Sequence, residues 1–290
     1  MPIGIEGEDL ERWFPKSKSF LPRLVVSLIG IPALIAIIIS GYPLTTAIVT
    51  IAAIWSLIEY HRMIRTITQK DYFYITVIWT TIFVFNAQFA HEIGNYSVHI
   101  IVIGILFTLT LTIINQSNNK TDILKNWMLT CIGPIYIGFL LSHALLLREI
   151  NQLNYNGTDW LLYVLLLTFA IDTAAYCIGT SIGKYKLAES ISPNKTWEGV
   201  LGGITAAIIA SLALSALFDL PISEIEQIFL GMLLGVTAVF GDLAESIIKR
   251  ATNTGNSGTL LPGHGGMLDR IDSLLLTIPV TYYLLTLIII

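Results

Sequence analysis

The sequence predicts an all-α polytopic membrane protein with about nine transmembrane helices, its N-terminus cytoplasmic and its C-terminus outside. Three observations predict it. Hydrophobic residues make up 54% of the 290 and charged residues 12%, with a mean hydropathy of +0.73, far from an average soluble domain. Apolar runs long enough to cross a bilayer recur along the whole chain. Lys and Arg gather on alternate segments between those runs, as the positive-inside rule requires.

The apolar runs fall at roughly 23–40, 43–60, 72–90, 97–115, 126–147, 159–179, 199–218, 225–241 and 272–290, the eighth with a polar helical extension. With the N-terminus inside, Arg12, Lys16, Lys18 and Arg23 precede the first span, and Arg62, Arg65 and Lys70 follow the second. Lys120 and Lys125, then Lys184, Lys186 and Lys195, and finally Lys249, Arg250 and Arg270 occupy the later inner segments. That is fifteen of sixteen basic residues, with only Arg148 outside, and adding or dropping a span would scramble the alternation. The first twenty residues mix charges and offer no small-residue cleavage site, so no removed signal peptide is expected. Cys131 and Cys177 fall inside apolar segments and read as small core residues. The whole chain, 1–290, reads as one integral membrane domain. Residues 1–150 are mainly membrane scaffold, and 159–290 carry the two polar inner loops, 180–198 and 242–271.

Those loops hold the chemistry. Leu261-Pro-Gly-His-Gly-Gly-Met-Leu-Asp-Arg-Ile-Asp272 packs three glycines, a histidine, two aspartates and an arginine into the mouth of the last span. Glycines let backbone N–H groups approach an anion, and spaced aspartates suit a hard divalent cation, so such a site would handle phosphate. Upstream, Asp242, Ser246 and Lys249 share one helical face. Glu245 and Lys249, four residues apart, also fit a plain surface salt bridge. Asp242 follows a long apolar run, where a carboxylate needs a cation or several donors.

Ser246-Ile-Ile-Lys249-Arg250, then ten residues, then Leu261 to Asp272 resembles the signature of the phosphatidate cytidylyltransferase (CDP-diacylglycerol synthase) family. Asp172-Thr-Ala-Ala-Tyr176, Gly183-Lys184 and Ser192-Pro-Asn-Lys-Thr-Trp-Glu-Gly199 resemble the family as well. The resemblance covers the C-terminal half firmly and residues 1–150 only as hydrophobic scaffold. It implies transfer of a cytidylyl group from CTP to phosphatidate, giving CDP-diacylglycerol and pyrophosphate for phospholipid biosynthesis. It also implies magnesium, with room for a monovalent cation such as K+, a multi-pass protein of the inner (cytoplasmic) membrane with its active site facing the cytoplasm, and a homodimer as one possible state. No nucleic-acid partner is expected.

By the same resemblance, Asp242 and Asp269 match family carboxylates linked with the metal, and Asp272 is a third ligand or orients Arg270. Two strongly anionic reactants also need cations at the inner helix ends, where Lys184, Lys195, Lys249, Arg250 and Arg270 stand. Lys249 would grip a phosphate; Arg250 would do so or hold the loop. His264 would donate to a phosphate, carry a proton, or simply bond nearby backbone. Pro262, Gly263, Gly265 and Gly266 would shape a turn whose N–H groups face an anion. Ser192 and Lys195 are favoured as CTP or lipid contacts, and Ser192–Thr196 also reads as a helix N-cap. Asp172, an intramembrane carboxylate, would pair with Lys184 or Lys195. Glu59, followed by His61 and Arg62, would pair at the interface.

The chain departs from the family at Gly255-Asn256, where Lys-Asp is usual, and at Thr180, where a basic residue is usual. A loss of Lys and Asp together leaves net charge unchanged, as expected of a mutual ion pair. Rival readings are another CTP-dependent lipid transferase or kinase, a weakened paralogue, and a transporter. The last would place interrupted spans in both halves, which the sequence lacks.

Overall fold

The computed structural model describes residues 20–68, 72–114, 120–152, 155–255, 257–258 and 265–289. The helices are α1 (Phe20–Ser40), α2 (Leu44–Ile64), α3 (Phe73–Gln88), α4 (Ala90–Ile93), α5 (Ser97–Ile114) and α6 (Lys120–Gly133). They continue with α7 (Leu140–Arg148), α8 (Gly157–Ile182), α9 (Trp197–Leu217), α10 (Glu224–Ala251), α11 (Leu268–Ile271) and α12 (Leu274–Leu284). Two small hairpins interrupt them, β1 (Asn151–Gln152) with β2 (Tyr155–Asn156), and β3 (Lys186–Ala188) with β4 (Ser192–Thr196). The chain is an all-α multi-pass membrane protein.

Six helical stretches among the described residues are long and apolar enough to cross a membrane: α2, α5, the joined α6–α7 over Ile123–Arg148, α8, α9 and α10. About nine were expected. The other three apolar runs form α1, α3 and α12, with 21, 16 and 11 residues. α3 has 16 residues, about 24 Å at 1.5 Å per residue, against a hydrocarbon core of about 30 Å. α1 has 21 residues, about 31 Å by the same rise, and α12 has 11 residues before the wider turns of Leu285–Ile289.

Local sequence sets the ends. Asn156 caps α8 by accepting the Thr158 N–H, and Thr196 caps α9 by accepting that of Gly199. Ser223 and Glu226 close a capping box at the start of α10. At Pro134, which has no N–H to donate, the helical ladder widens over Pro134–Phe139 and joins α6 to α7.

Helices α8, α9 and α10 pack as a tight trio. Gly199 and Gly203 of α9 meet Ala175 and Gly179 of α8, and Gly231 and Gly235 of α10 meet Ala207 and Ile204 of α9. Small residues at these seams let backbones approach where lipid supplies no hydrophobic drive between helices. Hydroxyls add ties: Tyr163 and Ser211 lie 2.7 Å apart, and Ser211 donates to the Gln227 carbonyl at 2.6 Å. One core, with Trp160, Tyr163, Tyr60 and Leu57 fully buried, runs through both halves of the chain. On α5 the apolar side chains Val98, Ile103, Phe107 and Ile114 face outward, as lipid contact allows. Cys177 is likewise exposed on α8 rather than in the core, and both cysteines are free.

Candidate active site

The C-terminal ends of α2, α8 and α10 meet the β3–β4 hairpin and residues 265–273 at one end of the bundle, because each connection there returns the chain to that end. α8, β3, β4, α9, α10 and Asp269–Ser273 enclose a cavity of about 670 Å³. Its wall toward the bundle interior is apolar, with Ile171, Ala175, Val200, Ala238 and Val239. Its polar wall carries Asp172, Ser192, Lys195, Asp242, Asp269, Arg270 and Asp272, all expected from the sequence.

The aspartates do different things. Asp172, Asp242 and Asp272 stand close enough to repel one another. Lys195 pairs with Asp242 at 2.8 Å, so its ion pair is not the expected one with Asp172. The Ser273 hydroxyl reaches the Asp172 carboxylate at 3.4 Å, and the Ser273 N–H donates to Asp272 at 2.7 Å. Ser246, behind the cavity wall, donates to Asp242 at 3.3 Å. Asp269 differs, because its oxygens are already engaged. Oδ1 accepts Lys249 Nζ at 2.9 Å, and Oδ2 accepts the Gly266 N–H at 2.8 Å and the Ser257 N–H at 3.2 Å. Burial works against its ionisation. Hydrogen bonds with Glu245, the Gly266 N–H and Lys249 override burial and hold the Asp269 carboxyl down at about 2.

Several expected contacts lie behind the cavity or outside it. Lys249 is not on the cavity wall; it bridges Asp269 and Glu245, and Glu245 is fully buried rather than part of a surface pair. Arg250 Nε donates to the Ile191 carbonyl at 2.9 Å, so of its two expected roles the structure gives it loop holding. Lys184 is exposed beside Glu198 and lies off the cavity wall. Gly266 directs its N–H onto Asp269, an anion of the protein itself, and Gly265 takes φ +81°, a backbone conformation that favours glycine. Pro262, Gly263, His264 and Asn256 lie outside the described residues.

The structure also places residues the sequence reading did not single out. Lys186 and Asn194 line the cavity from the hairpin. The signal was there: Lys186 opens β3, and period 2 puts Ser192, Asn194 and Thr196 on one face of β4. Glu59, expected at the interface beside His61 or Arg62, is instead 1% exposed and accepts hydrogen bonds from Ser257, Met267 and Leu268.

Among the described residues no three His, Cys, Asp or Glu side chains converge as a ready metal cage. Magnesium keeps several waters and needs only one or two carboxylates when substrate phosphates complete its shell. Three crowded carboxylates with hard oxygen donors, only one paired to a lysine, fit that demand. The arrangement can therefore bind polyphosphate through cations at one end of a membrane bundle, next to an apolar wall.

The chain matches the cytidylyltransferase family over residues 21–288. It is 32% identical over 262 residues to the phosphatidate cytidylyltransferase of Bacillus subtilis, covering 90% of this chain and 95% of that one. It is 41% identical over 133 residues to the phosphatidate cytidylyltransferase of Haemophilus influenzae, covering 44% and 46%. Against that of Staphylococcus aureus it is 35% identical over 157 residues, covering 54% and 57%. Since the match runs from α1 to the turns after α12, through every element that walls the cavity, the chain belongs to the cytidylyltransferase family.

Proposed function

We propose that this chain transfers a cytidylyl group from CTP to phosphatidate, producing CDP-diacylglycerol and pyrophosphate. The observation that carries it is the cavity: lysines and aspartates meet an apolar wall at one end of a membrane bundle. A phosphatidate oxygen attacks the α-phosphorus of CTP, the bond from that phosphorus to the bridging oxygen breaks, and pyrophosphate leaves. Lys186, Lys195 and Arg270 face the incoming phosphates and offset their mutual repulsion. Ser192 and Asn194 offer hydrogen bonds to CTP, and the apolar wall takes the lipid side of phosphatidate. A bound magnesium ion would neutralise charge on the reacting phosphates. Asp242 and Asp272 are its best holders, with Asp172 behind them. Asp269, saturated by donors, fixes Lys249 instead.

We further propose that the site faces the cytoplasm of the inner membrane, with the N-terminus inside and helices α1, α3 and α12 completing nine crossings. Arg62, Arg65, Lys184, Lys195, Lys249 and Arg250 lie toward the site end. Arg148, whose Nε donates to the Ile38 carbonyl, lies at the other end.

The test is product analysis on purified protein given CTP, phosphatidate and magnesium, with each omitted in turn. We expect equal amounts of pyrophosphate and CDP-diacylglycerol, and neither when any component is missing. Pyrophosphate without lipid, or CDP released alongside a phosphorylated lipid, would point to a different CTP-dependent reaction.

A further inference from the structure

We infer that Glu59 is a positioning residue for this transfer: from α2 it holds the turn that delivers Asp269 to Lys249 and the cavity. The inference rests on the proposed transfer reaction. A buried carboxylate is costly unless donors surround it. Glu59, 1% exposed, has three. Oε1 accepts the Met267 N–H at 2.9 Å, while Oε2 accepts the Leu268 N–H at 2.9 Å and the Ser257 hydroxyl at 3.2 Å. These donors flank the groups that hold Asp269. The Ser257 and Gly266 N–H groups point at Asp269 Oδ2, and the Asp269 N–H reaches back to Ser257 Oγ at 3.4 Å. Ser257 thus touches both carboxylates, one from each half of the chain.

The packing is specific to this carboxylate. A methyl group added at Gly258 or Gly266 would run into the Glu59 side chain. His61, two residues on, is engaged with Thr76 at 2.7 Å and leaves Glu59 to the turn. So α2, which lies outside the cavity, fixes the backbone of 257–258 and 266–268, and through it the aspartate that holds Lys249. Displacing a reacting group's support by about 1 Å can cost roughly 10²-fold in rate.

The experiment uses full-length Glu59→Gln, which keeps shape but turns one acceptor into a donor facing a backbone N–H. Hydrogen exchange should quicken about tenfold in peptides covering 265–271, and stay unchanged across α8, α9 and α10. Turnover should fall by roughly 10–100-fold while KM for CTP moves less than about threefold. Turnover within about twofold of native, or exchange that quickens equally throughout the bundle, would overturn the inference. Should Glu59→Gln fail to fold, Ser257→Ala decides: it removes one shared contact and should give the same local exchange pattern with a loss of a few-fold in turnover. If the native protein forms no CDP-diacylglycerol, the transfer reading falls, and the exchange measurement still tests whether Glu59 anchors the turn.

Discussion

Lys249 is the residue whose environment says most about the chemistry. It sits between a fully buried Glu245 and a donor-saturated Asp269, so removing it takes away the cation that bridges these two acidic side chains. Lys249→Ala should therefore cost about 3–5 kcal/mol in stability, the range for breaking a buried ion pair by deleting one partner. It should lower turnover as well. The double variant Glu245→Gln with Lys249→Met should recover most of the melting temperature in detergent and none of the turnover, which separates the two roles. Asp242→Asn should abolish turnover, because it alters a carboxylate on the cavity wall, yet leave the fold intact. Asp269 also carries a pH signature. Its folded pKa, about 2, lies below the usual carboxylate value of about 4. Its contribution to stability is thus fully present above about pH 4 and disappears as pH falls through about 2. The melting temperatures of native protein and Asp269→Asn should differ at neutral pH and converge across that window.

Two elements set the shape of the cavity, and each hangs on a short-range contact. The β3–β4 hairpin carries Lys186, Ser192, Asn194 and Lys195, and Arg250 of α10 ties its turn through the Ile191 carbonyl. Arg250→Ala should loosen the hairpin and raise KM for CTP by a few-fold while turnover stays within about twofold, since no reacting group moves. The opposite wall depends on α10 approaching the entry to α12. A Cβ at Gly241 would lie 2.6 Å from the Asp272 carbonyl oxygen and 2.8 Å from Ser273 Cα. Gly241→Val should push these elements apart, cost about 1–3 kcal/mol, and weaken activity by displacing Asp272 from Asp242. A melting curve and a turnover assay on the same preparation check both effects. Gly255 contrasts with it: among the described residues nothing lies within 4 Å of a Cβ added there.

At the scale of the whole molecule, the basic residues near the site end and Arg148 at the other end, among the described residues, fit the proposed topology, which labelling can read. With Cys131 and Cys177 replaced, cysteines at Asn194 and Gly255 should react with an impermeant reagent only from the cytoplasmic side. A cysteine at Glu149 should react only from outside. Labelling of positions 194 and 255 from opposite faces would break the nine-crossing arrangement. The single core across both halves adds a second consequence. Glu59 of α2 accepts hydrogen bonds from the Met267 and Leu268 N–H groups, so the first half of the chain packs directly against the loop that borders the cavity.

The sequence by itself determined the class, the helices and the family. Composition and periodicity are properties of the chain alone, and the polar residues between Asp172 and Asp272 keep their spacing whatever the fold does. It also read Ser192–Thr196 as a helix N-cap, and the cap is Thr196 at the end of that stretch, because capping depends on neighbours three residues away. Which residues face one another was decided only by the tertiary structure. Helical spacing put Asp242, Ser246 and Lys249 on one face, but not Lys195 against Asp242 or Asp269 against Lys249. Nor did it show that Arg250 turns to a hairpin 59 residues back, or that Glu59 closes on backbone N–H groups more than 200 residues ahead. Six of the expected spans are long and apolar enough among the described residues, and how the remaining apolar runs sit depends on where the chain turns. Local rules fix each residue's own element, while the partner across a gap depends on how helices far apart in sequence pack, and that packing assembles the site.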